Sequence, residues 1–124
     1  MLSMRDINKS YPLGESSLQV LFNVNFEVRQ KEFVSILGPS GSGKSTLMNI
    51  IGCLDTADSG SYVLNGKDIG SMRDRQLAKV RNNDIGFVFQ QFQLLPRMTA
   101  LDNVELPLIY ARVPTKERKA RAMV

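Results

Sequence analysis

Two hydrophobic periods organise this chain. From Leu18 to Val28 apolar and polar positions alternate: Leu18, Val20, Phe22, Val24, Phe26 and Val28 share one face, and Gln19, Asn23, Asn25 and Glu27 take the other, with Leu21 the exception. A period of two predicts a half-buried strand. Residues 2–11 mix apolar and polar positions and end at Tyr11-Pro12-Leu13-Gly14, a turn signal, so the two runs predict an antiparallel hairpin. Phe33–Leu37 and Ile85–Phe89 are short continuous apolar runs, the pattern of buried strands. Between them Leu47, Ile50, Ile51 and Leu54 recur at helical spacing. Tyr62–Ile69 predicts a small hairpin bent at Asn65-Gly66. Ser71-x-x-Asp74 reads as a capping box for a short helix running to about Asn82. Thr99-x-x-Asp102 reads as a second, opening a helix that Pro107 limits or kinks. A last basic helix begins near Pro114-Thr115.

Composition narrows the class. The 124 residues are 43% hydrophobic and 23% charged, which fits one globular domain with a real core. No apolar run approaches the length of a membrane span, and no basic segment followed by an apolar stretch marks a signal peptide. Any membrane role is therefore expected to go through a partner. The one cysteine, Cys53, fits a reducing cytosol and reads as a small core residue of the helical stretch. The net charge of +4 draws heavily on Lys116, Arg118, Lys119 and Arg121, which read as a solvated helix face. No basic stretch is interleaved with aromatics, so nucleic acid is not an expected partner.

The stretch between the first buried run and the helix carries the chemistry. Gly38-Pro39-Ser40-Gly41-Ser42-Gly43-Lys44-Ser45-Thr46 matches G-x-x-x-x-G-K-[ST], a phosphate-binding loop, in the strand–loop–helix context that such a motif requires. Glycines let backbone N–H groups converge on phosphate oxygens, and the helix beginning near Gly43 adds its free N–H groups and its dipole. Lys44 supplies a full positive charge for the terminal phosphates, and Ser45 a hydroxyl for Mg²⁺. If strand 85–89 runs parallel to strand 33–37, Gln90 emerges at the same rim as the loop. There it either ligates Mg²⁺ or positions a water, or is simply a polar residue leaving a strand.

These segments, taken in order, resemble the N-terminal half of an ATP-binding cassette (ABC) transporter ATPase of the MacB/LolD-like macrolide-export and lipoprotein-release group. The resemblance is carried by Gly38–Thr46 with Leu47–Asp55, Ser59-Gly60, Ile85–Gln90, Leu94-Leu95-Pro96 and Thr99–Val104. It implies an α/β fold with a P-loop NTPase-type core and an N-terminal antiparallel β subdomain, truncated within the cassette. The implied parts are 1–32 antiparallel β, 33–90 core, and 91–124 the start of a helical subdomain. It also implies that Tyr11 stacks on adenine, that Gly38 and Ser40 to Thr46 hold the phosphates of ATP, and that Ser45 and Gln90 are Mg²⁺ ligands. Lys44 and Gln90 would then be the catalytic groups present. The implied partners are a transmembrane permease, reached through residues about 90–110, and a second cassette, at the inner face of the cell membrane. Without the resemblance, the favoured reading of Tyr11 is a strand-end aromatic packed on the core.

Three features of such cassettes have no counterpart here: an apolar strand ending in Asp-Glu, an LSGGQ-like signature, and a switch histidine, this chain having no histidine. Lys31 stands where a glycine is common. The expectation is therefore nucleotide binding without turnover. The alternatives are a non-functional remnant of a cassette gene, or a different P-loop NTPase. A GTPase is disfavoured because neither Asn65-Gly66-Lys67-Asp68 nor Asn8-Lys9-Ser10-Tyr11 forms the guanine-reading N-K-x-D.

Overall fold

The computed structural model describes residues 1–91 and 93–123. Its contacts fall into two compact units, residues 1–78 and 79–124.

The first unit is built on an antiparallel hairpin. Strand β1 (Leu2–Leu13) pairs with β2 (Ser16–Val28), and the turn is Gly14-Glu15, with Gly14 at φ 61°. β1 therefore runs through Pro12, past the turn that the sequence suggests. Pro12 is tolerated because pairing on the other side of β1, with the strand Ser59–Leu64, reaches only as far as Asn8, so the missing N–H falls on a free edge. β3 (Ser59–Leu64) and β4 (Lys67–Asp68) complete a four-stranded sheet of order β2-β1-β3-β4. The β3–β4 bend is the expected Asn65-Gly66, with φ 48° and 78°. Two successive positive φ values are what a tight two-residue hairpin demands.

The alternation in β2 does not hold along its length. Leu21, the sequence's exception, is 4% exposed, whereas Leu18 and Phe22 lie more than half exposed. The cause is a series of bulges. From Met4 to Ile7, β1 advances three residues while β2 advances two, from Phe26 to Val24. From Ile7 to Lys9 the surplus passes to β2, which runs from Val24 to Leu21. Each extra residue reverses the faces beyond it. The bulges centre on Asp6 and Asn23, at φ 51° and 46°. Polar side chains fasten them. Asn25 Oδ1 accepts the Asp6 N–H at 3.1 Å, Asn8 Oδ1 accepts the Asn23 N–H at 3.0 Å, and Asn8 Nδ2 donates to Asn23 Oδ1 at 2.9 Å.

Helix α1 (Lys44–Ile51) buries Leu47 and Ile50, and Cys53 just beyond it is 2% exposed, a core residue as expected. Leu54, read as part of the same stripe, is exposed because the helix has already ended at Gly52. Tyr62 of β3 is buried and donates its hydroxyl to the Ile51 carbonyl at 2.8 Å, tying sheet to helix. Burial pushes the Tyr62 pKa above its ordinary value. Leu2, Met4, Ile7, Leu21, Leu47, Ile50, Cys53, Tyr62, Ile69 and Leu77 form the buried apolar set of this unit.

Helix α2 (Asp74–Asn83) starts without the expected box. Ser71 Oγ donates instead to the Asp68 carbonyl at 3.1 Å, and Gln76 Oε1 accepts the Arg73 N–H at 3.0 Å. In the second unit α3 (Ala100–Tyr110) carries the predicted capping box, and Pro107 lies within the helix. The Asp102 N–H donates to Thr99 Oγ1 at 3.2 Å, and the Thr99 N–H to Asp102 Oδ2 at 3.1 Å. Hydrogen bonds from Thr99 hold the Asp102 carboxyl below the usual range. Asn103 Oδ1 accepts the Leu95 N–H at 2.8 Å, fixing the preceding loop to α3.

Helix α4 (Thr115–Ala122) is the basic helix, but its face is not wholly solvated. Arg118 Nε lies 3.3 Å from Glu105 Oε2, and the Glu105 side chain is only 7% exposed. The positive charge read as surface excess here satisfies a buried carboxylate on the neighbouring helix.

Phe33–Leu37 and Ile85–Phe89 pair with no strand among the described residues. Phe33 is 95% exposed, Leu37 88% and Val88 95%. The apolar runs specify a preference for a buried sheet. Pairing partners are non-local, and a run of five residues cannot supply them.

Candidate phosphate-binding site

The loop's geometry is set by its glycines. Gly41 and Gly43 sit at φ 79° and 84°, values that an L side chain rarely adopts. At Gly43 space is also closed: a Cβ there would lie 2.9 Å from Leu21 Cδ2 and 3.1 Å from the Val20 carbonyl oxygen. At Gly38 a Cβ would meet Ser42 Oγ at 2.8 Å. β2 and the start of α1 thus approach so closely that only glycine fits at Gly43.

Gly43 is the N-cap of α1, and its carbonyl accepts the first helical hydrogen bond, from Leu47 N–H at 2.9 Å. A glycine cap offers no side-chain oxygen, so the N–H groups of Lys44, Ser45 and Thr46 have no intrahelical or capping acceptor. The first turn holds no acidic residue. Positive potential at this helix end is therefore left uncompensated. Ser40, Gly41, Ser42 and Ser45 are exposed, and Thr46 is half-buried.

Lys44 curls over its own loop. Its Nζ donates to the Gly38 carbonyl at 2.8 Å, the Pro39 carbonyl at 2.5 Å and Ser42 Oγ at 3.2 Å. This places the ammonium inside the arc of Gly38–Ser42 rather than out in solvent. With the Gly38 and Pro39 carbonyls engaged by the ammonium, the uncapped N–H groups and that ammonium offer donors and positive charge, which fits a polyphosphate. Among the described residues no group of three or more His, Cys, Asp or Glu side chains could hold a metal ion. A cation here would depend on phosphate oxygens and the Ser45 hydroxyl.

Tyr11, near the end of β1, belongs to the same unit as the loop. Its hydroxyl donates to Asp55 Oδ2 at 2.8 Å, and Lys9 Nζ lies 5.1 Å from its ring centroid. Lys9 is 8% exposed. It donates to Asp55 Oδ1 at 2.8 Å and to the Thr56 carbonyl at 2.7 Å, with Asp58 Oδ1 at 3.7 Å. Burial works to lower the Lys9 pKa, but the bond to Asp55 and the charges of Asp55 and Asp58 outweigh it and hold it raised. Burial likewise works to raise the Asp55 pKa, and the bonds from Lys9, Tyr11 and Thr56 N–H outweigh it and hold it lowered. Lys9, Asp55 and Asp58 escaped the sequence reading. The one signal was Lys9-x-Tyr11, two positions apart on a strand and so on one face.

Gln90 is exposed and belongs to the second unit. The parallel strands 33–37 and 85–89, expected to set it at the rim of the loop, are not formed among the described residues.

A family model for ABC transporters matches residues 21–124. The chain belongs to the ABC transporter family. It is 57% identical over 122 residues to the uncharacterized ABC transporter ATP-binding protein YknY of Bacillus subtilis (strain 168), covering 98% of this chain and 53% of that protein. It is 48% identical over 124 residues to the macrolide export ATP-binding/permease protein MacB of Bdellovibrio bacteriovorus, covering 100% of this chain and 19% of that one. Among solved structures, the ATP-binding cassette MJ0796, in a dimeric post-hydrolysis state bound to ADP and Pi, matches at TM-score 0.91 and 47% identity, over 99% of this chain and 54% of that one. The ABC-cassette fold and the MacB-type resemblance are both borne out. The chain spans about half the length of YknY and MJ0796, at 53% and 54%.

Proposed function

We propose that this chain is the nucleotide-binding segment of an ABC transporter ATPase and binds Mg-ATP through residues Gly38–Thr46. The observation that carries this reading is the N-terminus of α1: a glycine cap in the left-handed region, uncapped N–H groups behind it, and the Lys44 ammonium folded into the same arc. Each group is a donor or a positive charge, so the site selects a compact polyanion. Binding draws Lys44 from its loop carbonyls to the terminal phosphates, while the N–H groups of Gly41 to Thr46 take the remaining oxygens. Ser45 would offer its hydroxyl to the Mg²⁺, which neutralises phosphate charge. Tyr11 offers its ring to adenine. The MJ0796 structure described as bound to ADP and Pi supports the ligand class.

The same reading assigns a transmembrane permease as the partner of residues about 90–110, a second cassette as the partner across the nucleotide, and a location at the inner face of the cell membrane. The fused ATP-binding/permease architecture named for MacB supports the first of these. Among the described residues no helix is long and apolar enough to cross a membrane.

The test is calorimetry of the purified chain with Mg-ATP. Wild type is expected to bind, and Lys44→Ala to lose at least about ten-fold in affinity, the worth of one charge-assisted contact. Equal affinity in the two proteins would overturn the assignment.

A further inference from the structure

Four side chains from two distant stretches, Tyr11 among them, form one cluster, and none belongs to the phosphate loop. Lys9 and Tyr11 come from β1, and Asp55 and Asp58 from the segment after α1. We infer that Asp55 is a positioning residue for the adenine-stacking ring of Tyr11, and that Lys9 fixes which ring face the base takes.

The geometry argues this in three steps. First, the two Asp55 oxygens are divided between two tasks: Oδ2 accepts the Tyr11 hydroxyl at 2.8 Å and Oδ1 accepts the Lys9 ammonium at 2.8 Å. A phenol has two rotatable side-chain bonds, and a hydrogen bond at its far end restricts both. Second, Asp55 is itself held. Its Oδ1 also accepts the Thr56 N–H at 2.7 Å, and Lys9 bonds the Thr56 carbonyl at 2.7 Å, so the carboxylate cannot swing without breaking a closed set of contacts. Asp58 closes the set from the other side, its Oδ2 accepting the Ser10 N–H at 2.6 Å. Third, the Lys9 ammonium lies 5.1 Å from the Tyr11 centroid, within cation–π range, and so takes one face of the ring. The opposite face is left for the base. A cation on one face also draws π density away from the other, which favours stacking by an electron-rich purine.

Asp55 stands four positions past the end of α1, the helix whose N-terminus receives the phosphates. The carboxylate therefore links the phosphate helix to the base-stacking strand within one compact unit. A ring anchored in this way forfeits little freedom when a base docks, so its affinity contribution depends on the anchor.

This inference rests on the nucleotide-binding reading of Tyr11, and the experiment separates the two. Calorimetry on the full chain compares Mg-ATP with inorganic tripolyphosphate. Tripolyphosphate reports the folded loop, and the ratio of the two affinities reports the base. Tyr11→Ala is expected to collapse that ratio. Tyr11→Phe, which keeps the ring and leaves the Lys9–Asp55 pair intact, is expected to lower it roughly two- to ten-fold, the worth of one hydrogen bond. Asp55→Ala, which removes that bond and also releases Lys9, is expected to lower it at least as much as Tyr11→Phe, with the double variant no worse than Asp55→Ala alone. Tripolyphosphate affinity should stay at wild type throughout. A wild-type ratio in Tyr11→Phe beside a collapsed ratio in Tyr11→Ala would overturn the positioning role and leave the stacking reading standing. A wild-type ratio in Tyr11→Ala would overturn both. If Asp55→Ala does not fold, Tyr11→Phe alone decides.

Discussion

Replacing glycines by alanine isolates how tightly α1 is set against β2. Gly43 and Gly66 both sit at positive φ, 84° and 78°. An alanine in this left-handed region costs about 1–2 kcal/mol from its own backbone. Beyond that the two sites differ. A Cβ on Gly66 meets nothing within 4 Å, whereas one on Gly43 lies 2.9 Å from Leu21 Cδ2 and 3.1 Å from the Val20 carbonyl oxygen. Leu21 is 4% exposed, so its side chain has little room to yield, and the oxygen belongs to the β2 backbone. Overpacking of this kind adds about 1–3 kcal/mol. Gly66→Ala should therefore cost about 1–2 kcal/mol and Gly43→Ala about 2–5 kcal/mol. Gly60→Ala should exceed both, since its Cβ would stand 2.5 Å from the Asp6 and 2.6 Å from the Arg5 carbonyl oxygen. Urea unfolding followed by circular dichroism reads the order, with the denaturant slope checked for constancy. In native buffer, Gly43→Ala should also weaken tripolyphosphate binding, because relief of the contact moves the first turn of α1. Gly66→Ala should not. Stabilities of Gly43→Ala and Gly66→Ala within about 0.5 kcal/mol, the scatter of ordinary surface substitutions, would refute the close approach of α1 to β2.

Two further predictions concern stability and solution behaviour. The Asp55 pKa is lowered from its ordinary 3.8, so its stabilisation is present above that pH and is lost as pH falls through the folded-state value; the Lys9 pKa is raised from 10.5, so its share is present below that pH and is lost as pH rises through the folded-state value. The urea midpoint of wild type should fall at both extremes, and a Lys9→Met/Asp55→Leu variant should show a flatter profile; parallel profiles would contradict the linkage. The exposed Phe33 and Leu37, together with an open apolar pocket of about 310 Å³ lined by Phe26, Val34, Ile36, Met48, Ile51 and Leu64, should make the 124-residue chain self-associate and bind a hydrophobic dye. Phe33→Ser/Leu37→Ser should reduce both by sedimentation and fluorescence, and a monomeric wild type at high concentration that leaves the dye dark would count against this.

What was legible in the sequence was whatever chemistry acts over a few residues. The phosphate loop, the Asn65-Gly66 bend and the Thr99/Asp102 box each close their geometry within a short span, so residue type and spacing suffice. The misreadings share the opposite property. The faces of β2 depend on a bulge at Asn23, and that bulge depends on Asn8, fifteen positions away on another strand. The Ser71 box failed because α2 begins only at Asp74, three positions beyond Ser71, and the Ser71 hydroxyl turns back to the Asp68 carbonyl, a helix start that spacing does not rank. Arg118 looked like surface because its carboxylate partner lies on the preceding helix, thirteen positions back. Lys9, Asp55 and Tyr11 carry the same lesson into the site itself. The pairs are 46 and 44 positions apart, and each residue alone reads as ordinary strand or turn. A motif therefore names the groups that touch a ligand, because they must converge from one short loop. It does not name the groups that hold them still, because those are recruited from wherever the fold brings a carboxylate or an ammonium within reach. In this chain the loop's own glycines fix the phosphate end, whereas the base end is fixed by residues that only the folded sheet assembles.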